Sequence, residues 1–492
     1  MDTYYRGSPN RHQTRRQATK RGAVLSRLNW SRVVSTLSVA LVLWLSPLEE
    51  AAVTASSSKP LQKPNILFLI MDDVGIDKMQ IFGYGGVTPP QTPNIDAIAH
   101  AGVRFRNTWA MPECSPSRAA FFVGRYPLRT NIFAAIGSED LANSQLSPFE
   151  ATTPKLLKQH DYTSAMFGKF HLAGPDNNPA GNGTPFSLGW DFFYGYTGGL
   201  PAAVDTTAGG VAPLGTYSCG FVTGNAGGAC YVADGSCTKL LPGAAPGRSC
   251  LESGGIFVQN QSCQPTPPSN LNFTTLNSYY VSPLVINDKN GAVEEISPAD
   301  PRARVYRTTL EVNAARDWLK QQNSRKPWMA TVSFSSAHTP YQQPPVALLP
   351  PGSDDGNNFD CTARGDQRTI SNQMIEAMDS EIGRLLVEVG LATRTADGQL
   401  NYHPETTNTM VVVVTDNGSF PTDVKEPFDL NRAKGTSYQT GVWVPLIVAG
   451  PLVNSPNREV THMVNVADLF ELFGELGGVD VHKRVPKSHT LD

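Results

Sequence analysis

The chain has 492 residues, 40% of them hydrophobic, and a formal net charge of −3 at pH 7. Such a length allows a large buried core and is compatible with one large α/β domain that carries insertions. Acidic and basic residues are nearly balanced, which argues against a nucleic-acid partner because binding a polyanion leaves a basic footprint.

The first 55 residues have the pattern of an export signal. Residues 1–32 contain eight Arg or Lys residues and one acid, and a charge-free apolar run follows at 33–48. The small residues Val53-Thr54-Ala55 suit a cleavage site. Because the apolar run is shorter than the roughly 20 residues that span a bilayer, a cleaved signal is favoured over a membrane anchor. We therefore expect an exported protein, secreted, periplasmic or in the secretory pathway, with a linker at 56–64 and its folded domain at 65–492.

The clustering of the cysteines also indicates export. Five of the seven lie between Cys219 and Cys263, in a stretch that is also rich in glycine. This crowding predicts disulfide-linked loops in an oxidising compartment. A zinc site is disfavoured because the stretch has no C-x-x-C pair and no nearby histidine. Without Cys114 six cysteines remain, and the sequence leaves their pairing open.

After the linker, short apolar runs alternate with segments of helical spacing. The predicted strands are 65–71, 103–105, 163–167, 328–334, 410–414 and 444–449. The predicted helices are 92–100, a segment from 153, 312–321, 373–391 and 466–473. The alternation predicts a doubly wound, mostly parallel α/β sheet flanked by helices. It stops between about 197 and 300, which we interpret as a Cys/Gly-rich insertion looped over one face.

Two oxygen-rich pairs follow predicted strands. Asp72-Asp73 ends the first apolar run, and Asp416-Asn417 ends the run at 410–414. Ligands of such sheets bind beyond the carboxyl ends of the strands, where the fold would bring the two pairs together. Carboxylate and amide oxygens suit a hard cation such as calcium better than zinc.

Basic and imidazole side chains are predicted on the same rim. Lys169 and His171 follow one strand, His338 follows another, and Arg118 and Lys434 lie in adjoining segments. Preorganised cations stabilise the charge on a tetrahedral oxyanion during group transfer. A histidine can protonate the departing oxygen.

Cys114 stands apart in sequence from the other cysteines. A predicted helical turn beginning near Arg118 would put Cys114 close to a positive helix N-terminus. That position suits a thiolate nucleophile, although a structural cysteine remains the simpler local interpretation.

The run Cys114-Ser115-Pro116-Ser117-Arg118, with Gly124-Arg125, resembles the signature of the sulfatase family, whose fold is alkaline-phosphatase-like. The resemblance covers about 64–451 outside the insertion. It implies that a formylglycine-generating enzyme oxidises Cys114 to formylglycine during maturation. The hydrated aldehyde would attack the sulfur of a sulfated small molecule or carbohydrate. A sulfated-enzyme intermediate would then collapse by elimination.

The resemblance also implies a calcium site. Asp72, Asp73, Asp416 and Asn417 match the calcium ligands of the family, and the modified Cys114 would face the ion.

The remaining matched residues carry implied catalytic roles. Arg118 matches the residue that holds the formylglycine, and Lys169 and Lys434 match the sulfate-binding lysines. His171 matches the histidine beside the nucleophile, and His338 the histidine near the leaving group, which makes it the candidate general acid.

The sequence departs from the family pattern at several positions, among them Phe170, where the family usually has Trp, and Ala173, where it usually has Gly. After the second lysine the usual Tyr-Glu-Gly-Gly is Tyr438-Gln439-Thr440-Gly441, and Trp443 replaces an arginine. Family members usually continue into a smaller C-terminal subdomain, and we expect that this sequence is either truncated or has that subdomain reduced. Two alternatives therefore stay open: a phosphonate monoester or phosphodiester hydrolase of the same fold, and an inactive secreted binding homologue.

Overall fold

The computed structural model describes residues 63–199, 226–353 and 364–492, all within the unit Lys59–Asp492. The middle range is interrupted at 244–245, 247–248, 251–252, 254, 270, 272–283, 298–299, 304, 324, 340 and 342–343. The predicted export signal lies outside the described residues. Among the residues that are described, no helix combines the length and apolar character needed to cross a bilayer.

The strands follow the apolar runs of the sequence. They are β1 (Asn65–Met71), β2 (Gly102–Trp109), β3 (Thr163–Lys169), β4 (Phe192–Tyr196), β5 (Gly228–Tyr231), β6 (Cys237–Leu240), β7 (Ile256–Gln259), β8 (Leu284–Asn287), β9 (Val293–Ile296), β10 (Trp328–Ser333), β11 (Ala392–Arg394), β12 (Leu400–Tyr402), β13 (Thr409–Thr415), β14 (Trp443–Ala449) and β15 (Arg458–Asn465).

Most of the helices lie between these strands in the chain, and the last two follow β15. They are α1 (Pro93–His100), α2 (Cys114–Val123), α3 (Pro127–Thr130), α4 (Thr153–Lys158), α5 (Thr184–Ser187), α6 (Arg307–Leu319), α7 (Arg364–Glu388), α8 (Gln439–Val442), α9 (Asp468–Gly477) and α10 (Val481–Arg484). Proline occupies the first turn of α1, α3, α4 and α5, where its missing N–H costs no hydrogen bond.

Ten strands form the main sheet, in the order β15-β2-β14-β13-β1-β10-β3-β4-β8-β9. The central strands β13, β1, β10, β3 and β4 are parallel to one another, whereas β14 runs antiparallel to β13 and to β2, and β8 runs antiparallel to β4. All five of these strands therefore have their carboxyl ends at one edge of the sheet. The predicted doubly wound, mostly parallel fold is confirmed.

The core consists of two hydrophobic clusters, one on each face of this sheet. In β1 the side chains of Ile66, Phe68 and Ile70 belong to the cluster that includes α2 and α9. The alternate residues Leu67 and Leu69 belong to the cluster that includes α1, α6 and α7. Burial on both faces explains why this strand is apolar without alternation.

The predicted insertion contains regular structure that periodicity did not indicate. The strands β5, β6 and β7 form a separate antiparallel sheet, stapled by the disulfides Cys230–Cys250 and Cys237–Cys263. The strands β8 and β9 instead extend the main sheet beyond β4. Cys219 and Cys361 lie outside the described residues.

Candidate active site

Parallel strands deliver the predicted site residues to one edge of the sheet. Asp72 and Asp73 directly follow β1, Lys169 ends β3, and Asp416 and Asn417 directly follow β13. All five residues are fully buried. The two oxygen-rich pairs, which are far apart in sequence, are thus neighbours in the fold: the Asn417 amide nitrogen donates to Asp73 Oδ1 at 2.7 Å.

Cys114 is the first residue of α2 and lies at the positive end of that helix. Its Sγ is 3.8 Å from Asp72 Oδ1, 3.4 Å from Lys169 Nζ and 3.3 Å from Lys434 Nζ. Burial, and next the charge of Asp416, raise the pKa of this thiol to about 12, although the two lysines lower it. The unmodified side chain is thus a neutral thiol at pH 7, a poor nucleophile.

Each lysine beside Cys114 is paired with a carboxylate. Lys169 Nζ lies 2.6 Å from Asp72 Oδ2, and Lys434 Nζ lies 2.6 Å from Asp73 Oδ1. Burial alone would lower the pKa of Lys434, but Asp73 and the surrounding charges raise it, so this group stays cationic. Two ammonium groups therefore flank one reactive side chain, in a position to contact the oxygens of a bound anion.

Arg118 lies one helical turn after Cys114 and joins α2 to the strand ends. Its side chain contacts the carboxylates of Asp416 and Asp72, at 2.8 Å and 3.4 Å. It also donates to the Lys169 carbonyl at 2.9 Å and to Ser333 Oγ at 2.6 Å. Because its donors are engaged by fixed acceptors, the guanidinium holds the start of α2 at this edge of the sheet.

His338 lies beyond β10 and faces Lys434. Its Nδ1 is 2.6 Å from the Thr339 carbonyl, and its Nε2 is 3.1 Å from Lys434 Nζ. A carbonyl can only accept and an ammonium can only donate, so these contacts assign the ring proton to Nδ1. Burial and the charges of Lys434 and Lys169 lower the pKa of His338 well below its ordinary value.

His171 follows β3 in a left-handed backbone conformation with φ +53°, which is uncommon for residues other than glycine. Its Nε2 donates to the Ile136 carbonyl at 3.0 Å. Its Nδ1 is buried and has no hydrogen-bond partner among the described residues. Burial, Lys169 and Arg118 lower the pKa of this imidazole, so Nδ1 is an available acceptor.

Unpaired buried oxygens identify the place for a cation. Asp73 Oδ2 and Asn417 Oδ1 have no hydrogen-bond partner in the part of the chain that is described. One donor atom each from Asp72, Asp73, Cys114 and His338 lie within 4.8 Å of one another. A buried carboxylate or amide oxygen without a partner is costly, and a hard cation would remove that cost. The free oxygens of Asp73 and Asn417 suit a hard cation such as calcium, and Sγ of Cys114 and a ring nitrogen of His338 belong to the same cluster.

Sequence reasoning missed two serines that support the site. Ser333 ends β10 and accepts from Arg118, as described above. Ser419 donates to Asp77 Oδ1 at 2.7 Å, accepts from the Gly75 amide at 3.1 Å, and accepts the Lys434 amide on its carbonyl at 3.0 Å. Their only sequence signal is position, since both lie at or just after a strand end on the site's edge.

Comparisons with known proteins point to one family. The sulfatase family model matches residues 64–479. Steryl-sulfatase of Mus musculus is 27% identical over 463 residues, covering 88% of this chain and 64% of the mouse protein. N-acetylgalactosamine-6-sulfatase of Sus scrofa is 38% identical over 119 residues, which are 23% of this chain and 22% of that protein.

A crystal structure of Ps i-CgsB in complex with k-i-k-neocarrahexaose has the same fold. Its TM-score is 0.57 at 22% identity, and the match covers 88% of this chain and 74% of that chain. The family model spans most of the sequence, including every predicted site residue. The chain therefore belongs to the sulfatase family.

Proposed function

We propose that this protein hydrolyses sulfate esters through a formylglycine derived from Cys114, with calcium bound beside it. The observation that carries this proposal is the position of two buried ammonium groups, Lys169 and Lys434, 3.4 Å and 3.3 Å from Cys114 Sγ. A tetrahedral oxyanion placed against this side chain would have a cation on each side.

The modified residue would supply the nucleophile, since the hydrate of an aldehyde carries a hydroxyl group that can attack sulfur. The side chain of Arg118 fixes the position from which this attack occurs, because it ties the start of α2 to Asp416 and Asp72. Lys169 and Lys434 orient the sulfate group and offset its charge.

Proton transfer is assigned to the two histidines. Lys434 Nζ and His338 Nε2 are 3.1 Å apart, so a proton can be shared between them and passed to the leaving oxygen. His171 Nδ1, buried and unpaired among the described residues, can accept a proton on the nucleophile side. The two roles correspond to a general acid and a general base.

Asp72, Asp73, Asp416 and Asn417 would hold the calcium ion. The ion would supply positive charge next to the nucleophile and the sulfate, and it would satisfy the unpaired oxygens of Asp73 and Asn417.

The names of the relatives and the expected export support a substrate class. Steryl-sulfatase and N-acetylgalactosamine-6-sulfatase are named for a steroid sulfate and a sugar sulfate. This chain spans less than two thirds of the mouse protein, so its substrate is a proposal: an aryl, steroid or carbohydrate sulfate. Two disulfides and the basic, apolar N-terminus favour export. The maturation partner would be a formylglycine-generating enzyme.

Paired assays test the proposal against its rivals. The protein, produced together with a formylglycine-generating enzyme, is given 4-nitrophenyl sulfate and an aryl phosphonate monoester. We expect faster turnover of the sulfate, and loss of turnover in Cys114→Ala. Faster turnover of the phosphonate would favour a phosphonate hydrolase, because both esters present similar oxyanions. Turnover of neither ester would favour the inactive binding homologue.

A further inference from the structure

A buried carboxyl group lies behind the segment that carries His338. Glu311 belongs to α6, which packs against β3 and β10, and the residue is 2% exposed. Its Oε1 is 2.6 Å from Ser335 Oγ, and its Oε2 accepts a hydrogen bond from the Ser335 amide at 3.3 Å. One carboxyl group therefore holds both the side chain and the backbone of Ser335.

Ser335 is bonded in turn to the candidate general acid. The backbone amide of His338 donates to the Ser335 carbonyl at 3.0 Å, and this bond closes the turn between the two residues. From the end of the turn the His338 imidazole reaches Lys434 Nζ at 3.1 Å. The contact between Glu311 and Ser335 therefore fixes the turn from which the imidazole projects.

Two hydroxyl groups hold the same segment. Thr308, which is also in α6, has its Oγ1 2.8 Å from Ser336 Oγ. The hydroxyl oxygen of Tyr196, at the end of β4, is 3.0 Å from Ser335 Oγ. All four residues are buried, so water cannot easily replace a hydrogen bond that is lost there. A change at Glu311 would therefore be felt along the segment that leads to His338.

The carboxyl group of Glu311 also packs against the strand that ends in Lys169. A side chain at Gly168 would place its Cβ 3.0 Å from Glu311 Oε1 and 2.0 Å from the Ser333 carbonyl oxygen. Glycine at this position, with φ +91°, thus allows the carboxyl group to lie close to the ends of both β3 and β10. Glu311 is a buried link between α6 and the edge of the sheet that carries the site.

We propose that Glu311 is a positioning residue for proton transfer to the leaving oxygen, and that it acts through Ser335 on His338. The inference rests on the proposed function, in which His338 and Lys434 share the transferred proton. It adds a residue outside the matched site residues whose loss would misplace the imidazole. A misplacement of about 1 Å can lower a rate on the order of 10²-fold.

Two aryl sulfates that differ in their leaving group test this role. Phenoxide is a poorer leaving group than 4-nitrophenoxide, so hydrolysis of phenyl sulfate depends more on protonation of the departing oxygen. The value of kcat/KM is measured for both esters in protein produced with a formylglycine-generating enzyme. We expect Glu311→Ala to lower kcat/KM for phenyl sulfate about tenfold more than for 4-nitrophenyl sulfate. His338→Ala should change the ratio in the same direction, and adding Glu311→Ala to it should not change the ratio further.

Glu311→Gln is the conservative variant. Glutamine keeps an oxygen that accepts from the Ser335 amide, and its NH₂ group can donate to Ser335 Oγ. Its ratio of kcat/KM between the two esters should therefore stay close to that of the wild type. If Glu311→Ala does not fold, Ser335→Ala, which removes the hydroxyl contact, provides the same test with the same expected direction.

The matched control is Glu381→Ala. Glu381 is a 1% exposed residue of α7 that accepts from Thr309 Oγ1 of α6 at 3.0 Å. Its loss should affect both esters by the same factor. The proposal is overturned if Glu311→Ala also affects both esters equally, or if Glu311→Gln behaves like Glu311→Ala. Either result would leave sulfate hydrolysis intact, whereas a wild type that hydrolyses neither ester would overturn the proposed function and this inference with it.

Discussion

Arg118 and Asp416 form a fully buried ion pair that joins two parts of the chain 298 residues apart. Two contacts reach the same carboxylate oxygen: Nε lies 2.9 Å from Asp416 Oδ2, and a terminal guanidinium nitrogen lies 2.8 Å from it. The pair fixes the helix that begins with Cys114 to the end of β13. Removing one partner of such a pair leaves an uncompensated buried charge.

We therefore expect Arg118→Met to lower both the free energy of unfolding and the rate of sulfate-ester turnover. Loss of a buried partner costs about 3–5 kcal/mol, and here two carboxylates lose a cation. The free energy of unfolding, measured by urea denaturation, checks this. Arg106→Met is the control, because the Arg106–Glu459 pair is about one third exposed and should contribute about 1 kcal/mol or less. Equal losses in the two variants would contradict the structural role of Arg118.

Calcium should stabilise the folded protein through the unpaired oxygen of Asn417. A ligand that binds only the folded state at about 100 times its Kd adds ~2.7 kcal/mol. We expect calcium to raise the thermal midpoint of the wild type and to raise that of Asn417→Ala much less. Asn401→Ala, which alters a bond in the remote β11–β12 hairpin, should keep the wild-type shift. A full calcium shift in Asn417→Ala would remove that residue from the site.

Glu311 should make stability fall as the pH rises. Burial raises the pKa of this carboxyl from 4.5 to about 8, although its hydrogen bonds to Ser335 lower it. Between these two values the folded chain keeps a proton that the unfolded chain has lost, so the stabilisation present at acidic pH disappears towards pH 8.

The variant Glu311→Gln has no carboxyl proton to lose at this position. Its free energy of unfolding should therefore depend less on pH than that of the wild type. Denaturation of wild type and variant at about pH 5 and about pH 8 measures the effect. Relative to the wild type, the variant should gain stability at the higher pH. Glu139→Gln, at an exposed surface carboxylate, should run parallel to the wild type. A constant difference between Glu311→Gln and the wild type would contradict the assigned shift.

The small sheet of β5, β6 and β7 should depend on its disulfides. Among the residues that the structure describes, its hydrophobic cluster has three buried members, Ala229, Tyr231 and Val258. The two disulfides join residues 20 and 26 positions apart, and closing a loop of such a length stabilises by roughly 3 kcal/mol. Cys237→Ser/Cys263→Ser should expose the bond after Lys239 to trypsin. Unchanged cleavage there would show that the sheet holds without this bridge.

The sequence predicted the centre of the fold well. The strands β1 and β13 contain unbroken apolar runs, β3 and β10 contain shorter ones, and polar residues follow all four. That pattern is specific for buried parallel strands and also locates the site's edge. The direction of β14 could not be predicted, because a strand buried on both faces has the same pattern in either orientation. The short strands β5–β9 were missed, since four residues carry little periodicity.

The sequence could predict which residues belong to the candidate site, but not which of their atoms are in contact. The sequence identified Cys114, the two lysines and the two histidines, and the fold brings them together. It could not assign the ring proton of His338, which depends on the positions of the Thr339 carbonyl and the Lys434 ammonium. Nor could it single out Ser333, because serine at a strand end has no distinctive pattern.

The mass of the tryptic peptide Asn107–Arg118 tests the central claim most directly. This peptide contains Cys114 and is released by cleavage after Arg106 and Arg118. In protein produced with a formylglycine-generating enzyme, we predict a peptide that has lost the elements of hydrogen sulfide and gained one oxygen atom, as expected for an aldehyde at position 114. An intact thiol at that position, in protein that turns over 4-nitrophenyl sulfate, would contradict the formylglycine mechanism.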